Sequence, residues 1–319
     1  MVEVRKIFSS GKSSYLITLP KDWIVSNGLK AGDQVFMDVG SERIVIYPKE
    51  AVRARKYASI DLREANMDSL IRRIISYYVA GYDSISVKIY SNEQRNAISI
   101  ASEILIGVEI MEDLGSEIQI EVFLDTERLR PIEIIDRITK ICQSIFSDFC
   151  LAFENFDKYI CTTIIARENE TDKLHFLALR LLKLAENYSD LKEKFQLDGK
   201  TMEYRTVVRA LERIADHSAI IAESLLLLKK PVPEMCEIAN FARETVQMAI
   251  FSLHREDAEL AEETLSMVSK YMEKEKSYYE KILDMEVREA LLMKTILDSF
   301  FRILNYSADI AEVAINLSA

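Results

Sequence analysis

The sequence predicts a multidomain α+β protein with a turn-rich β head, a small α/β middle and an all-helical body. Three observations predict it. Glycine is concentrated at the front: Gly11, Gly28, Gly32 and Gly40 are half of the 8 glycines and fall in the first 40 residues. Beyond Pro131, only Gly199, Pro231 and Pro233 punctuate the chain. Helices avoid both residue types, whereas strands and turns need them. The apolar spacing also changes, from alternation in the head to steps of three and four in the body, as in Val207, Leu211, Ile214, Ser218, Ile221 and Leu225.

Length and charge set the bounds. A chain of 319 residues with 49% hydrophobic content supports two or three cored domains. No apolar run approaches the roughly 18–20 residues of a membrane span. Met1 to Arg5 lacks the apolar stretch of a signal peptide, so a cytoplasmic protein is expected. Cys142, Cys150, Cys161 and Cys236 show no C-x-x-C spacing and read as reduced, core-filling thiols rather than a zinc site. Net charge is −11. Residues 1–56 hold ten cations against six anions, a net +4 that leaves −15 for the remainder. A basic head on an acidic body predicts that only the head meets a polyanion.

In the head, taken as residues 1–50, Val2 to Phe8 alternates as a strand and Gly11-Lys12-Ser13-Ser14 is a turn. Tyr15 to Leu19 is a second strand, stopped by Pro20. Lys21 to Asn27 makes a short helix closed by Gly28. Strands follow at Gln34–Val39 and Arg43–Tyr47, the latter ended by Pro48. So small a unit cannot bury a good core alone, which predicts pairing with a second copy. The runs V-R-K-I-F-S-S-G-K-S-S-Y-L-I-T-L-P-K-D-W, G-L-K-A-G-D-Q-V and R-I-V-I-Y-P resemble the AbrB/SpoVT/MazE family. The resemblance implies a swapped-hairpin dimer that sets basic residues against DNA. Carried over position by position, it assigns that role to Arg5, Lys6, Lys12 and Lys21, with Ser13 and Ser14 as phosphate contacts. Some relatives of this head bind only a protein partner. Glu50 to Lys56 reads as a basic linker.

Residues 57–124 read as a small α/β sandwich. Met67, Leu70, Ile71, Ile74, Ile75 and Tyr78 mark a helix that stops at Gly81. Ser84 to Tyr90 alternates as a strand, Asn92 caps a second helix, and Val108–Glu112 and Glu117–Leu124 form a strand pair. With no Gly-rich phosphate loop and no nucleophile arrangement, this unit is expected to be a spacer or dimerisation module.

In the body, helices are predicted at about 131–156, 157–191 and 201–229, then at about 234–254, 256–284 and 286–317. Three helices, a proline break and three more suggest a repeat of about 95 residues. Leu211-Glu212-Arg213-Ile214-Ala215-Asp216-His217-Ser218 aligns with Phe300-Phe301-Arg302-Ile303-Leu304-Asn305-Tyr306-Ser307. Domains at 125–230 and 231–319 follow, each an up-down-up bundle.

Two like-charged pairs stand out. Glu168 and Asp172, and Glu212 and Asp216, are each one turn apart, where like charges repel. A bound cation gives such pairs a reason. The competing reading is a salt-bridged surface, with Arg209 and Arg213 beside Glu212 and Lys173 beside Asp172. R-E-N-E-T-D-K-L-H-F-L-A-L-R-L-L from Arg167 and A-L-E-R-I-A-D-H-S-A-I-I-A-E from Ala210 resemble the PhoU family of phosphate-uptake regulators over roughly 125–319. Joined to the head, they look like a fusion familiar chiefly from archaea. The resemblance implies tandem three-helix bundles and a metal held by E/D-x-x-x-D motifs, here Glu168, Asp172, Glu212 and Asp216. Hard oxygen donors suit Mg, Mn, Ca, Fe or Zn. His175, three residues past Asp172, is a further ligand candidate, whereas His217 points about 100° away from Asp216. In the second repeat Tyr271, Glu275, Phe301 and Asn305 stand at the four carboxylate positions, so at most one site per chain, or one completed across a chain interface, is expected.

The function expected is a homo-oligomeric, DNA-binding regulator of phosphate uptake with a metal-binding helical sensor, and no enzyme activity. Metal or phosphate occupancy is expected to alter head geometry and hence DNA binding. The alternative is an adaptor that binds no DNA and contacts a phosphate transporter or signalling kinase. A carboxylate-bridged metal enzyme is a third reading, and its Glu-x-x-His pairs are missing.

Overall fold

The computed structural model describes residues 3–11, 14–40, 44–48, 55–125, 128–197 and 199–319. Residues 1–55 and 56–319 form two compact units.

In the first unit, β1 (Phe8–Ser10) and β2 (Ser14–Leu16) pair antiparallel, with Phe8 opposite Leu16. Helix α1 (Lys21–Ser26) ends where Gly28 takes φ +65°, as its sequence position predicts. β3 (Val35–Val39) and β4 (Ile44–Pro48) form a second hairpin, with Phe36 opposite Tyr47. The strand expected from Val2 begins only at Phe8, because residues 3–7 find no ladder partner among the described residues. Lys12 and Ser13 lie outside the described residues. No described residue of this unit is buried, and Val4, Ile7, Tyr15, Leu16, Met37 and Val39 are largely exposed. Two-stranded hairpins with no buried face are marginal in water.

The second unit begins with β5 (Tyr57–Ile60), α2 (Met67–Val79), β6 (Ser84–Lys88), α3 (Asn92–Ile104), β7 (Val108–Asp113) and β8 (Glu117–Val122). The sheet runs β5-β6-β8-β7, with β5 parallel to β6 and the other pairs antiparallel. β5 is absent from the sequence expectation. Its four residues give too short an alternation to separate from the linker. Asn66 caps α2, accepting from the Ser69 N–H at 2.9 Å. α3 is capped by Ser91 rather than Asn92, which is its first helical residue. Leu70, Ile74 and Tyr78 recur every four residues on α2 and are buried with Ile85, Val87, Ile118 and Ile120.

Among the described residues, eight α-helices follow: α4 (Pro131–Asn155), α5 (Lys158–Asn187), α6 (Ser189–Lys194), α7 (Thr201–Leu228), α8 (Cys236–Arg255), α9 (Ala258–Met272), α10 (Glu275–Ile282) and α11 (Val287–Ser318). Asp157, Asp257 and Glu286 cap α5, α9 and α11 with side-chain oxygens. Two expected helices are broken. Tyr188 leaves helical geometry at φ −129° and ψ 112°, which turns α6 back so that Leu191 and Phe195 are buried. The run Glu273-Lys274-Glu275-Lys276 has no apolar residue to hold it down, and the helix stops before it. The Tyr271 and Tyr278 hydroxyls hydrogen-bond across that break at 2.6 Å.

One continuous core runs through these helices, with α7 packed on α4, α5 and α11 and with α11 also on α8 and α9. Arg180 on α5 ties the helices to the sheet region. Only 1% exposed, it donates to the Tyr78 and Tyr82 carbonyls at 2.6 and 2.7 Å and pairs with Asp83 at 2.8 Å. Gly81 sits at φ +86°, and a Cβ there would lie 2.8 Å from a Leu184 methyl. Among the described residues, no helix is long and apolar enough to cross a membrane.

Candidate metal centre

The seam between α5 and α7 carries the site. Both helices are long and regular, so residues four apart fall on one face. Core residues Leu174, Ala178, Leu211, Ile214 and Ala215 hold the seam together. The polar positions beside them therefore meet at its edge.

Glu168 and Asp172 on α5 meet Asp216 on α7, with one ligand oxygen from each lying within 4.8 Å of the others. All three are half-buried. Glu212, one turn before Asp216, is also half-buried but does not join that converging set. Among the described residues this is the one group of three or more such side chains with converging ligand atoms.

The electrostatics are those of crowded oxyanions. Burial first, then Asp172, Asp216, Glu212 and Glu223, pushes Glu168 up to about 7. Burial and Asp216 push Asp172 up to about 6. Burial and Asp216 raise Glu212 to about 7, against the pull of Arg213. Burial raises Asp216, opposed by Arg213 and His217. The positive charge supplied is small. Arg213 reaches Asp216 at 3.1 Å and Glu212 at 3.4 Å. Neither Lys173 nor Arg209 forms an ion pair with the four carboxylates, so the salt-bridged surface is only partly realised. Three hard oxygen donors from two helices, short of counter-charge, fit a divalent or iron-type cation.

The histidines stand elsewhere. His175 is 8% exposed and does not join the carboxylates. It lines a separate cavity of about 370 Å³ with Arg205 and Arg209. His217 contacts the Ser299 hydroxyl at 3.3 Å and stacks on Tyr306, a packing role. His254 pairs with Asp136 at 2.8 Å.

In the second repeat Glu275, Phe301 and Asn305 line a cavity of about 580 Å³ with Tyr279, Lys294, Asp298 and Arg302. Lys294 already neutralises Asp298 at 2.6 Å, and the Tyr279 hydroxyl donates to it at 2.5 Å. The donor set of α5 and α7 is not repeated there.

In the head Arg5, Lys6, Ser14 and Lys21 are exposed. Arg5 pairs with Glu3. Sequence reasoning missed Arg180 and the Arg205–Arg209 pair. The second carried a visible signal, two cations one turn apart on a helix.

Fold and site together define a helical-bundle protein with an acidic inter-helix seam, preceded in the sequence by a small β-rich segment. The family model described as "PhoU domain" matches residues 135–225. The model described as "Antidote-toxin recognition MazE, bacterial antitoxin" matches residues 9–54. The chain thus carries a PhoU domain and, N-terminal to it, a MazE/AbrB-like domain. No curated protein matches it. Among solved structures, PhoU from Pseudomonas aeruginosa is similar with a TM-score of 0.52 and 17% identity, over 59% of this chain and 94% of that one. The phosphate transport system regulatory protein PhoU from Streptococcus pneumoniae gives 0.52 and 18%, over 59% and 93%. At this identity the likeness is one of fold.

Proposed function

We propose that this chain is a regulator of phosphate uptake, acting in the cytoplasm as a homo-oligomer, whose α5–α7 seam holds a divalent or iron-type metal ion. The observation that carries the reading is the convergence of Glu168, Asp172 and Asp216 in a half-buried, counter-charge-poor seam. Bound there, a cation neutralises the cluster and cross-links two helices. Elemental analysis of the full-length purified protein tests it. The expected result is a stoichiometric metal in the wild type that is lost in a Glu212→Ala, Asp216→Ala variant. Wild-type protein free of metal after purification in metal-replete medium overturns it. The chain's proposed domains are residues 1–50, 57–124, 125–230 and 231–319.

The N-terminal segment is proposed to pair with its copy through the apolar residues it leaves exposed, and to set Lys6, Ser14, Lys21 and Arg5 against DNA phosphates. Neutralising phosphates releases counterions, so affinity falls steeply with salt. The second reading is that the head binds no DNA and contacts a protein such as a transporter or kinase. A salt titration of DNA binding separates the two. A steep negative slope of log affinity on log salt supports DNA contact, and no binding at low salt supports the adaptor. Metal added at fixed salt changes that affinity if the seam governs the heads.

A further inference from the structure

One cavity on the α5–α7 seam has no part in the carboxylate cluster. Its walls include His175, Leu179 and Glu186 from α5, and Arg205, Thr206 and Arg209 from α7. Its charge is inverted relative to its neighbour.

Arg205 and Arg209 are one helical turn apart, where like charges repel. Arg209 has no ion-pair partner among the described residues. Arg205 meets only Glu186, at 3.5 Å, and that carboxylate is already engaged by Lys183 at 2.6 Å. On the facing helix, His175 is 8% exposed and its Nδ1 has no hydrogen-bond partner. Burial of a polar nitrogen without a partner is costly unless something supplies one.

We propose that this cavity is a binding site for a protonated tetrahedral oxyanion of the phosphate class, free or as a monoester. Arg205 and Arg209 supply charge-assisted donors to its charged oxygens. His175 Nδ1 supplies the acceptor for its hydroxyl. Burial holds His175 down at about 4, so the ring is neutral near pH 7. With the ring proton on Nε2, the unpartnered Nδ1 keeps a lone pair. Phosphate carries a proton at neutral pH and sulfate does not. Sulfate would leave Nδ1 unpaired and aim an oxygen lone pair at it, so the site discriminates between two ions of equal shape. Leu179 supplies apolar wall, which accommodates the carbon of a monoester.

The anion site is independent of metal in the carboxylate cluster, and the test keeps the two apart. Inorganic phosphate, then sulfate, is titrated calorimetrically into chelator-treated full-length protein. The proteins are the wild type, Arg209→Gln, Arg205→Gln and the Glu212→Ala, Asp216→Ala variant. The expected result is saturable phosphate binding to the wild type and to the carboxylate variant. Sulfate should bind about tenfold weaker or worse, and each arginine variant should bind phosphate about tenfold weaker or worse. Arg209 is exposed, so its substitution leaves the melting temperature unchanged and the loss cannot be unfolding. The proposal is overturned by no phosphate binding at millimolar concentration, by sulfate binding as tightly, or by unaltered binding in Arg209→Gln. It is also overturned if only the carboxylate variant loses phosphate, which would place the ion at the metal cluster.

Discussion

Burial raises Glu168, Asp172, Glu212 and Asp216, the first three being raised further by neighbouring carboxylates, and this fixes the sign of a pH effect. Their folded-state values are raised, to about 7, 6 and 7 for the first three. Between the ordinary carboxylate value and these, the folded chain holds more protons than the unfolded one. Stability from these groups is therefore present at low pH and lost as pH rises through about 6–7. Chelator-treated protein is expected to lose several degrees of melting temperature between pH 5.5 and 8. Glu168→Gln is expected to flatten that loss and to melt higher than the wild type at pH 8. A melting profile flat in the wild type would contradict these raised values. Residue spacing revealed the carboxylate pairs because i and i+4 share a helix face whatever surrounds them. It misplaced His175 because a step of three residues turns about 60° back around the axis, here from the seam edge into the buried side. Which side is buried depends on the partner helix, and a single helix does not say.

At the scale of elements, α5 does two jobs: its first half carries the cluster, and Arg180 in its second half clamps the sheet region. Arg180→Ala leaves Asp83 buried without its guanidinium and the Tyr82 carbonyl without that donor. Breaking a buried pair this way is expected to cost about 3–5 kcal/mol, read as a lower denaturation midpoint. A loss under about 1 kcal/mol would show the clamp to be surface-like. The long helices were legible from period alone, as α4, α7 and α11 show. The break at Tyr188 was not, because an aromatic continues a helical pattern and only the burial of Leu191 and Phe195 turns the chain. β5 was hidden for a related reason. Its partner β6 lies across α2, and so short a strand takes its identity from that parallel pairing.

For the whole molecule, the two units differ in how they are stabilised. Residues 56–319 bury two extended cores, while the described residues up to Arg55 bury none. The head is therefore expected to be ordered by a second copy. Full-length protein should sediment as a dimer or larger, and Ile7→Lys, Leu16→Lys should shift it toward monomer while leaving the helical melt unchanged. A monomer at all concentrations would contradict this. The glycine distribution and charge asymmetry made the division between head and body legible. The partner of the head is not written in one chain, since exposed apolar side chains state a need without naming what meets it.

Whether the α5–α7 seam takes a cation is tested most directly by metal-binding calorimetry. Mn²⁺ titrated into chelator-treated full-length protein at pH 7.5 should bind saturably to the wild type and release protons from the raised carboxylates. At free metal about 100 times Kd this should add about 2.7 kcal/mol of stability. Glu168→Gln, Asp216→Asn should abolish both the binding heat and the stabilisation. Saturable binding undiminished in that variant, or none in the wild type, would contradict the account.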